Sequence, residues 1–317
     1  MSADREQTGE RPSVELTESE FREIFAAVSS WGRWGESDER GALNELTPER
    51  VAAAARLVRD GETISLSHPL DTRQGIDNPE PARHRMTMLG DQGSGPLRFS
   101  KDFIGLDYHN QPHSHVDALC HVIFDGSLYN GKPGATVTAE GAGADAIDAL
   151  EDGLVGRGVL LDVPRAREIQ WLEPGEHVFA ADLESCEREQ GVTAAAGDVL
   201  LVRTGHALRL AELGPWDTAT ARAGLHPTCA PLLAERRVAA LGSDGNNDTA
   251  PSSTEGIGFP IHALALNAIG VHLFDYLQLE DLATACERAG RWEFLFVAAP
   301  LRIRGGTGSP LNPIAIL

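Results

Sequence analysis

Residues 108–126 read YHNQPHSHVDALCHVIFDG and hold four of the chain's 11 histidines. If the part before Asp117 is extended, alternate side chains share one face, and that face carries Gln111, His113, His115 and Asp117. His121 follows four residues later, about one helical turn away. Imidazole and carboxylate groups that converge from a strand and the next turn can ligate a divalent transition metal. The segment therefore predicts a metal site.

The ligand types leave the metal open between zinc and manganese, because imidazole and carboxylate without thiolate suit both ions. Cys120 adjoins His121, but neighbouring side chains rarely face the same way, so we expect Cys120 to be a small buried apolar residue. The alternative interpretation of the cluster is a set of histidines that are hydrogen-bonded separately in loops and core.

Composition narrows the class of protein. The 317 residues include 27 Lys+Arg and 47 Asp+Glu, a net charge of −20, which disfavours nucleic-acid partners and anionic membrane surfaces. The N-terminus is polar and lacks the apolar stretch of a secretory signal, and no apolar run approaches the ~18 residues that span a bilayer. Four widely separated cysteines indicate reduced thiols, so we expect a soluble cytoplasmic protein.

The pattern along the chain predicts one α/β domain over residues 16–317, with a mixed β-sheet flanked by helices, after a disordered tail over residues 1–15. Thr17 and Glu20 form a capping box for the first helix, and Thr47-Pro48 opens a second. A long polar loop is expected over 74–97. Strands are predicted over 63–67, 159–163, 199–203, 238–242 and 294–303, and helices over 181–189, 229–236 and 279–289.

Residues 114–121, SHVDALCH, resemble the signature H-x-G-T-H-x-D-x-x-x-H of the cyclase-type metal-dependent hydrolases, a family that includes kynurenine formamidase and isatin hydrolase. The resemblance runs from about Trp31 to the C-terminus and implies the α/β fold of kynurenine formamidase. Four other segments agree with the family: 34–44, which is similar to its WGxxDExGxLN, 156–162, 197–205 and 305–310.

By this resemblance His115, Asp117 and His121 are metal ligands, and the aspartate can bridge two ions. The chain departs from the family at Gln111, where the family has its first metal-binding histidine, and at His113, where it has glycine. Gln111 could ligate through its amide oxygen, or His113 could supply the missing imidazole. A weaker first-metal site is equally consistent, so one or two Zn or Mn ions per chain are expected.

Further along the chain, His262 matches the family's catalytic histidine, and Asp275 stands near its metal-binding glutamate with a shorter carboxylate. A helix N-cap histidine and a strand-end aspartate are the ordinary alternatives. Trp31 and Trp34, in a glycine-rich stretch, could line a pocket for a planar substrate, although packing in the core or an interface would also explain them.

The resemblance implies an arylformamidase-like, metal-dependent hydrolase of amide, formamide or lactam C–N bonds, with a metal-activated water and His262 as general base. It also implies a link to tryptophan catabolism. A small aromatic substrate and a homodimer or homotetramer are implied in the same way. No G-x-S-x-G elbow or dinucleotide-binding glycine motif is present, which disfavours serine hydrolases and nicotinamide enzymes. The alternatives are a lactone hydrolase or polyketide-type cyclase/dehydratase on the same scaffold, or a non-catalytic binding protein.

Overall fold

The computed structural model describes residues 15–90 and 95–317, so the tail expected over 1–15 lies outside the described residues except for Glu15. The described chain folds around one large mixed sheet. Its helices are α1 (Glu18–Val28), α2 (Pro48–Ala55), α3 (Val163–Ala166), α4 (Ala180–Gln190), α5 (His206–Leu213), α6 (Ala230–Arg236), α7 (Pro260–His262) and α8 (Glu280–Ala289).

The strands fall into one nine-stranded sheet and three two-stranded ribbons. They are β1 (Thr63–Ser65), β2 (Arg83–Met88), β3 (Lys101–Gly105), β4 (His115–Asp117), β5 (Val137–Thr138), β6 (Gly141–Ala142), β7 (Leu154–Asp162), β8 (His177–Val178), β9 (Val199–Arg203), β10 (Gly224–Leu225), β11 (Ala240–Ser243), β12 (His272–Asp275), β13 (Glu293–Ala298), β14 (Gly308–Pro310) and β15 (Ile314–Ile316).

The large sheet has the order β1-β15-β13-β7-β9-β11-β12-β4-β14. Strands β7, β9, β11 and β12 run parallel, whereas β4 is antiparallel to both β12 and β14, and β13 is antiparallel to β7 and β15. Helices α2, α3 and α4 pack against β7, β9 and β13. The predicted α/β fold with a mixed sheet flanked by helices is therefore confirmed.

The parallel strands form because their sequences are apolar along both faces. All five residues of β9 are buried, as expected for a strand covered on each side by other elements. Strand β13 instead alternates between half-buried and buried residues, and it ends at Ala298 rather than at 303 as predicted. Pro300, which lacks a backbone N–H, follows two residues later and cannot extend the ladder.

The helix starts follow local capping chemistry. The hydroxyl of Thr17 accepts a hydrogen bond from the backbone N–H of Glu20, whose carboxylate accepts one from the backbone N–H of Thr17 at 2.9 Å. Helix α2 begins at Pro48, with the Thr47 side chain as its N-cap. None of the helices among the described residues is long and apolar enough to cross a membrane.

The expected polar loop over 74–97 contains a strand instead. Strand β2 pairs with β3 as an antiparallel hairpin, and almost all of its side chains are exposed. Because neither face of β2 is buried, its sequence RHRMTM lacks the alternation of apolar and polar residues that would have indicated a strand.

Candidate metal centre

The site forms where β4 lies between β12 and β14. The register places His115 opposite Asp275 and Asp117 opposite Leu273. Since alternate residues of a strand share a face, His115 and Asp117 project from the same side of β4. A short 3₁₀ turn, Leu119–His121, follows the strand and returns His121 to the same region.

Two groups of side chains offer ligand atoms that lie within 4.8 Å of one another, and Asp117 belongs to both. In the first group, Oδ1 of Asp117 lies 2.8 Å from Nδ1 of His109 and 3.4 Å from Nε2 of His115. The second group contains Asp117, His121 and His262, and Oδ2 of Asp117 lies 3.4 Å from Nε2 of His262. Each carboxylate oxygen thus faces a different group, as a carboxylate that bridges two ions would.

The polar atoms of this centre fit a cation. Asp117 is fully buried, and although imidazole nitrogens lie 2.8 to 3.4 Å from its oxygens, none of these contacts among the described residues has the geometry of a hydrogen bond. A buried carboxylate without partners costs several kcal/mol unless a cation or donor neutralises it. The N–H at Nδ1 of His115 donates to the carbonyl oxygen of His113 at 2.7 Å, which leaves the lone pair of Nε2 directed toward Asp117.

The ionisation states of Asp117 and His121 suit metal ligation. Burial raises the pKa of Asp117, but the neighbouring imidazoles of His121 and His115 outweigh this effect and hold the pKa well below its usual range. Burial lowers the pKa of His121 to about 4, so its ring is neutral at pH 7. Neutral imidazole and ionised carboxylate are the forms that bind a divalent transition metal.

His109 is the residue that the sequence analysis missed. Besides its contact with Asp117, its ring stacks on that of His121 with centroids 3.9 Å apart, and Nε2 lies 2.9 Å from the Thr307 hydroxyl. The family spacing pointed to Gln111, whose side-chain oxygen instead accepts a hydrogen bond from the Thr218 hydroxyl. Gln111 belongs to neither group of ligand atoms. Strand alternation does not apply to this part of the chain, because residues 106–114 contain no strand.

His113 is buried but likewise belongs to neither group of ligand atoms. Its backbone carbonyl orients His115, while its Nε2 has no hydrogen-bond partner among the described residues. Burial lowers the pKa of His113, so the ring is neutral at pH 7. The structure therefore places an imidazole from His109, rather than from His113, beside the carboxylate of Asp117.

His262 is held by a carboxylate that lies 14 residues upstream. Nδ1 of His262 lies 2.6 Å from Oδ2 of Asp248. The same carboxylate accepts hydrogen bonds from two backbone N–H groups, that of Ile261 at Oδ1 and that of His262 at Oδ2. Burial lowers the pKa of His262, but the charge of Asp275 and hydrogen bonds to carboxylates raise it well above its ordinary value.

Asp275 lies beside the two groups without belonging to either. Its Oδ2 is 3.5 Å from Nε2 of His262, and its oxygens accept hydrogen bonds from the side chains of Asn246 at 2.5 Å and Asn247 at 2.6 Å. These amide donors hold the carboxylate of Asp275 beside Nε2 of His262, the general-base candidate.

The two tryptophans lie outside the ligand groups. Trp31 is 38% exposed, donates its indole N–H to the carbonyl of Asn267 and lines a small cavity with Phe25 and Phe124. Trp34 is half-buried against the core. A larger cleft of about 470 Å³ borders Pro112 and Tyr276, and the Tyr276 ring lies 6.5 Å from that of His115.

The fold and the site together define an α/β protein with a buried histidine–aspartate cluster that can hold a metal ion. The chain belongs to the cyclase family: the family model described as "Putative cyclase" matches residues 64–247, more than half of the sequence. The resemblance noted in the sequence is thereby confirmed. A search of the curated proteins found no match.

Solved structures agree with this assignment. A crystal structure described as that of a novel cyclase is 32% identical, with a TM-score of 0.84, and the match covers 92% of this chain and 99% of that chain. Isatin hydrolase A from Ralstonia solanacearum is 22% identical over 84% of this chain and 95% of that chain, with a TM-score of 0.58. Isatin hydrolase A from Labrenzia aggregata, bound to benzyl benzoate, is 22% identical over 86% and 98%, with a TM-score of 0.59.

Proposed function

We propose that this protein is a metal-dependent hydrolase that cleaves the C–N bond of an amide, formamide or lactam in a small aromatic substrate. The observation that carries the proposal is the buried carboxylate of Asp117, whose oxygens face imidazoles on two sides. Two similar structures are isatin hydrolases, and a third is described as a potential metal-dependent hydrolase with cyclase activity. These likenesses support the proposal through the fold.

A zinc or manganese ion, when bound, would supply Lewis acidity and lower the pKa of water at the site. Around it, the chain's own residues hold and move protons. Asp248 accepts the N–H at Nδ1 of His262, so Nε2 is the nitrogen that gains and releases a proton, and the charge of a bound metal ion would offset the nearby carboxylates that raise the pKa of this ring. Nε2 can then take a proton from the attacking water and return it to the leaving nitrogen, a role worth about 10²- to 10⁴-fold in rate.

Metal content and turnover test the proposal together. Purified protein, dialysed and analysed for each element, should retain one or two equivalents of Zn or Mn per chain. With the metal it should hydrolyse formanilide or a related aryl formamide, and removal of the metal by a chelator should abolish turnover. Hydrolysis of an aryl lactone but not of amides would show that the enzyme cleaves an ester C–O bond instead of the C–N bond that we propose. Protein that retains no ion after incubation with either metal would instead support a non-catalytic binding function.

We also propose that the protein assembles as a homodimer or homotetramer. The β2–β3 hairpin exposes Met86, Phe103 and Ile104, each about half accessible, on a ribbon that other described elements leave largely uncovered. Two-stranded hairpins are marginally stable alone, and exposed apolar groups favour association. Light scattering at micromolar concentration should give a mass of two or four chains, whereas a monomeric mass would refute this assembly.

A further inference from the structure

Arg222 is a buried cation without a buried anion. Its side chain is 3% exposed, and its N–H groups donate only to neutral backbone carbonyl oxygens. Nε donates to the carbonyl of Asp248 at 3.0 Å, and Nη1 donates to the carbonyls of Thr218 at 3.0 Å and Ala219 at 3.2 Å. Within residues 15–90 and 95–317, no carboxylate forms an ion pair with Arg222 and Nη2 has no hydrogen-bond acceptor. By contrast, the buried Arg203 pairs with two carboxylates.

Arg222 borders the candidate metal centre along two routes. The backbone carbonyl of Asp248 accepts its Nε, while the carboxylate of the same residue holds His262. The guanidinium also lies 5.1 Å from the ring centroid of Phe259, and that ring is 5.7 Å from the ring of His262. Phe259 is 51% exposed, so this aromatic surface is open beside the general-base candidate.

Arg222 is also linked to the metal-ligand segment. Its Nη1 holds the carbonyl of Thr218, whose hydroxyl donates to Gln111, two residues after His109. The same cation lowers the pKa of Tyr276, although burial, the largest effect, raises that pKa overall. Arg222 therefore reaches both sides of the site without contacting any of the ligand atoms.

We propose that Nη2 of Arg222 binds a carboxylate of the substrate, so that the site selects aryl amides that carry an anionic group. This inference rests on the proposed hydrolase function. Burying a charge without a counter-charge is costly, and a bound carboxylate would offset that cost. The planar guanidinium matches carboxylate geometry, and the neighbouring Phe259 ring can stack on the aromatic part of the same substrate.

The test compares two substrates that differ in charge, formanilide and 2-formamidobenzoate. The wild-type enzyme should show about 10- to 100-fold higher kcat/KM for the anionic formamide, the range expected for a charged hydrogen bond. Arg222→Gln should abolish this preference by lowering kcat/KM for 2-formamidobenzoate at least about 10-fold more than it lowers kcat/KM for formanilide. A purely structural role would lower kcat/KM for both substrates equally, and that outcome would overturn the proposal.

Arg73→Gln is the matched control, because this exposed arginine lines the neighbouring 470 Å³ cleft. The preference for the anionic formamide should survive in Arg73→Gln. If it is lost in Arg73→Gln and kept in Arg222→Gln, then Arg73 rather than Arg222 binds the carboxylate of the substrate. If Arg222→Gln does not fold, Arg222→Lys keeps the charge and should retain part of the preference. The wild-type comparison also stands alone, since equal kcat/KM for the two formamides overturns the proposal without any variant.

A binding measurement separates this inference from the proposed function. Calorimetry with benzoate and with neutral benzamide on metal-free protein should show that Arg222→Gln weakens benzoate binding more than 10-fold and leaves benzamide binding unchanged. That result without amide hydrolysis would remove the proposed function and keep the carboxylate site. Amide hydrolysis with equal benzoate affinity in the wild-type protein and Arg222→Gln would keep the function and remove Arg222 from recognition.

Discussion

Replacing His109 and Gln111 separately decides which of these two residues supplies the metal ligand upstream of His115. In the structure, Nδ1 of His109 is 2.8 Å from Asp117, whereas the side chain of Gln111 is hydrogen-bonded to Thr218. His109→Ala therefore removes one of three potential ligands from the first group. Gln111→Ala removes none, so the two variants should separate clearly in metal affinity.

The magnitude follows from the position of His109. Residues that only support a metal ligand change affinity by about 10- to 100-fold when mutated, so loss of the ligand itself should weaken binding by at least about 100-fold. A 100-fold loss corresponds to about 2.7 kcal/mol of metal-linked stabilisation. Gln111→Ala should shift affinity by less than about threefold, because its nearest partner is a hydroxyl that water can replace.

Competition with a chromogenic chelator measures the affinity of each variant for zinc and manganese. Thermal unfolding of the metal-free variants is the control for folding, since the His109 ring also stacks on His121. Wild-type metal affinity in His109→Ala, combined with loss of the metal in Gln111→Ala, would refute the placement of the 109–113 segment and support ligation by the amide of Gln111.

Three further changes test other parts of the structure. Asp117→Ala should abolish both metal retention and turnover, because Asp117 belongs to both groups; an active, metal-free variant would exclude this site. Asp248→Asn should lower kcat by about 10²-fold or more while metal content stays at the wild-type level, and unchanged kcat would argue against its orienting role. Gly158→Ala places a methyl group 2.2 Å from the ring of Phe294 and should destabilise the protein by about 1–3 kcal/mol in denaturant unfolding. Gly258→Ala, with no atom within 4 Å of the added methyl group, should be near neutral by the same measurement.

The sequence predicted best where burial determines the residue pattern. Strand β9 matches the predicted range 199–203, because five consecutive buried residues leave a continuous run with few alternatives. The sequence also predicted the residues of the candidate metal centre that are close together in the chain: His115 and Asp117 lie on one strand, and His121 lies in the turn that follows it. Such short-range geometry follows from strand and helix periodicity alone.

The parts that were missed depend on the path of loops. His109 reaches Asp117 through a segment without regular structure, so counting residues from the motif selected Gln111 instead. Asp248 lies 14 residues before His262 in the chain, and nothing in the intervening sequence specifies that the two side chains meet. In both cases the contact is determined by tertiary packing, for which a single sequence carries no periodic signal.

The number of bound ions determines the role that we assign to His262. Asp248 fixes the N–H at Nδ1, so the imidazole has one free lone pair, on Nε2, and this atom also belongs to the second group of ligand atoms. A ligated Nε2 cannot accept a proton, whereas an unligated Nε2 between Asp117 and Asp275 can. One ion held by His109, His115 and Asp117 is therefore consistent with a general base at His262. Two ions per chain would make His262 a ligand and would require a different residue to move the proton.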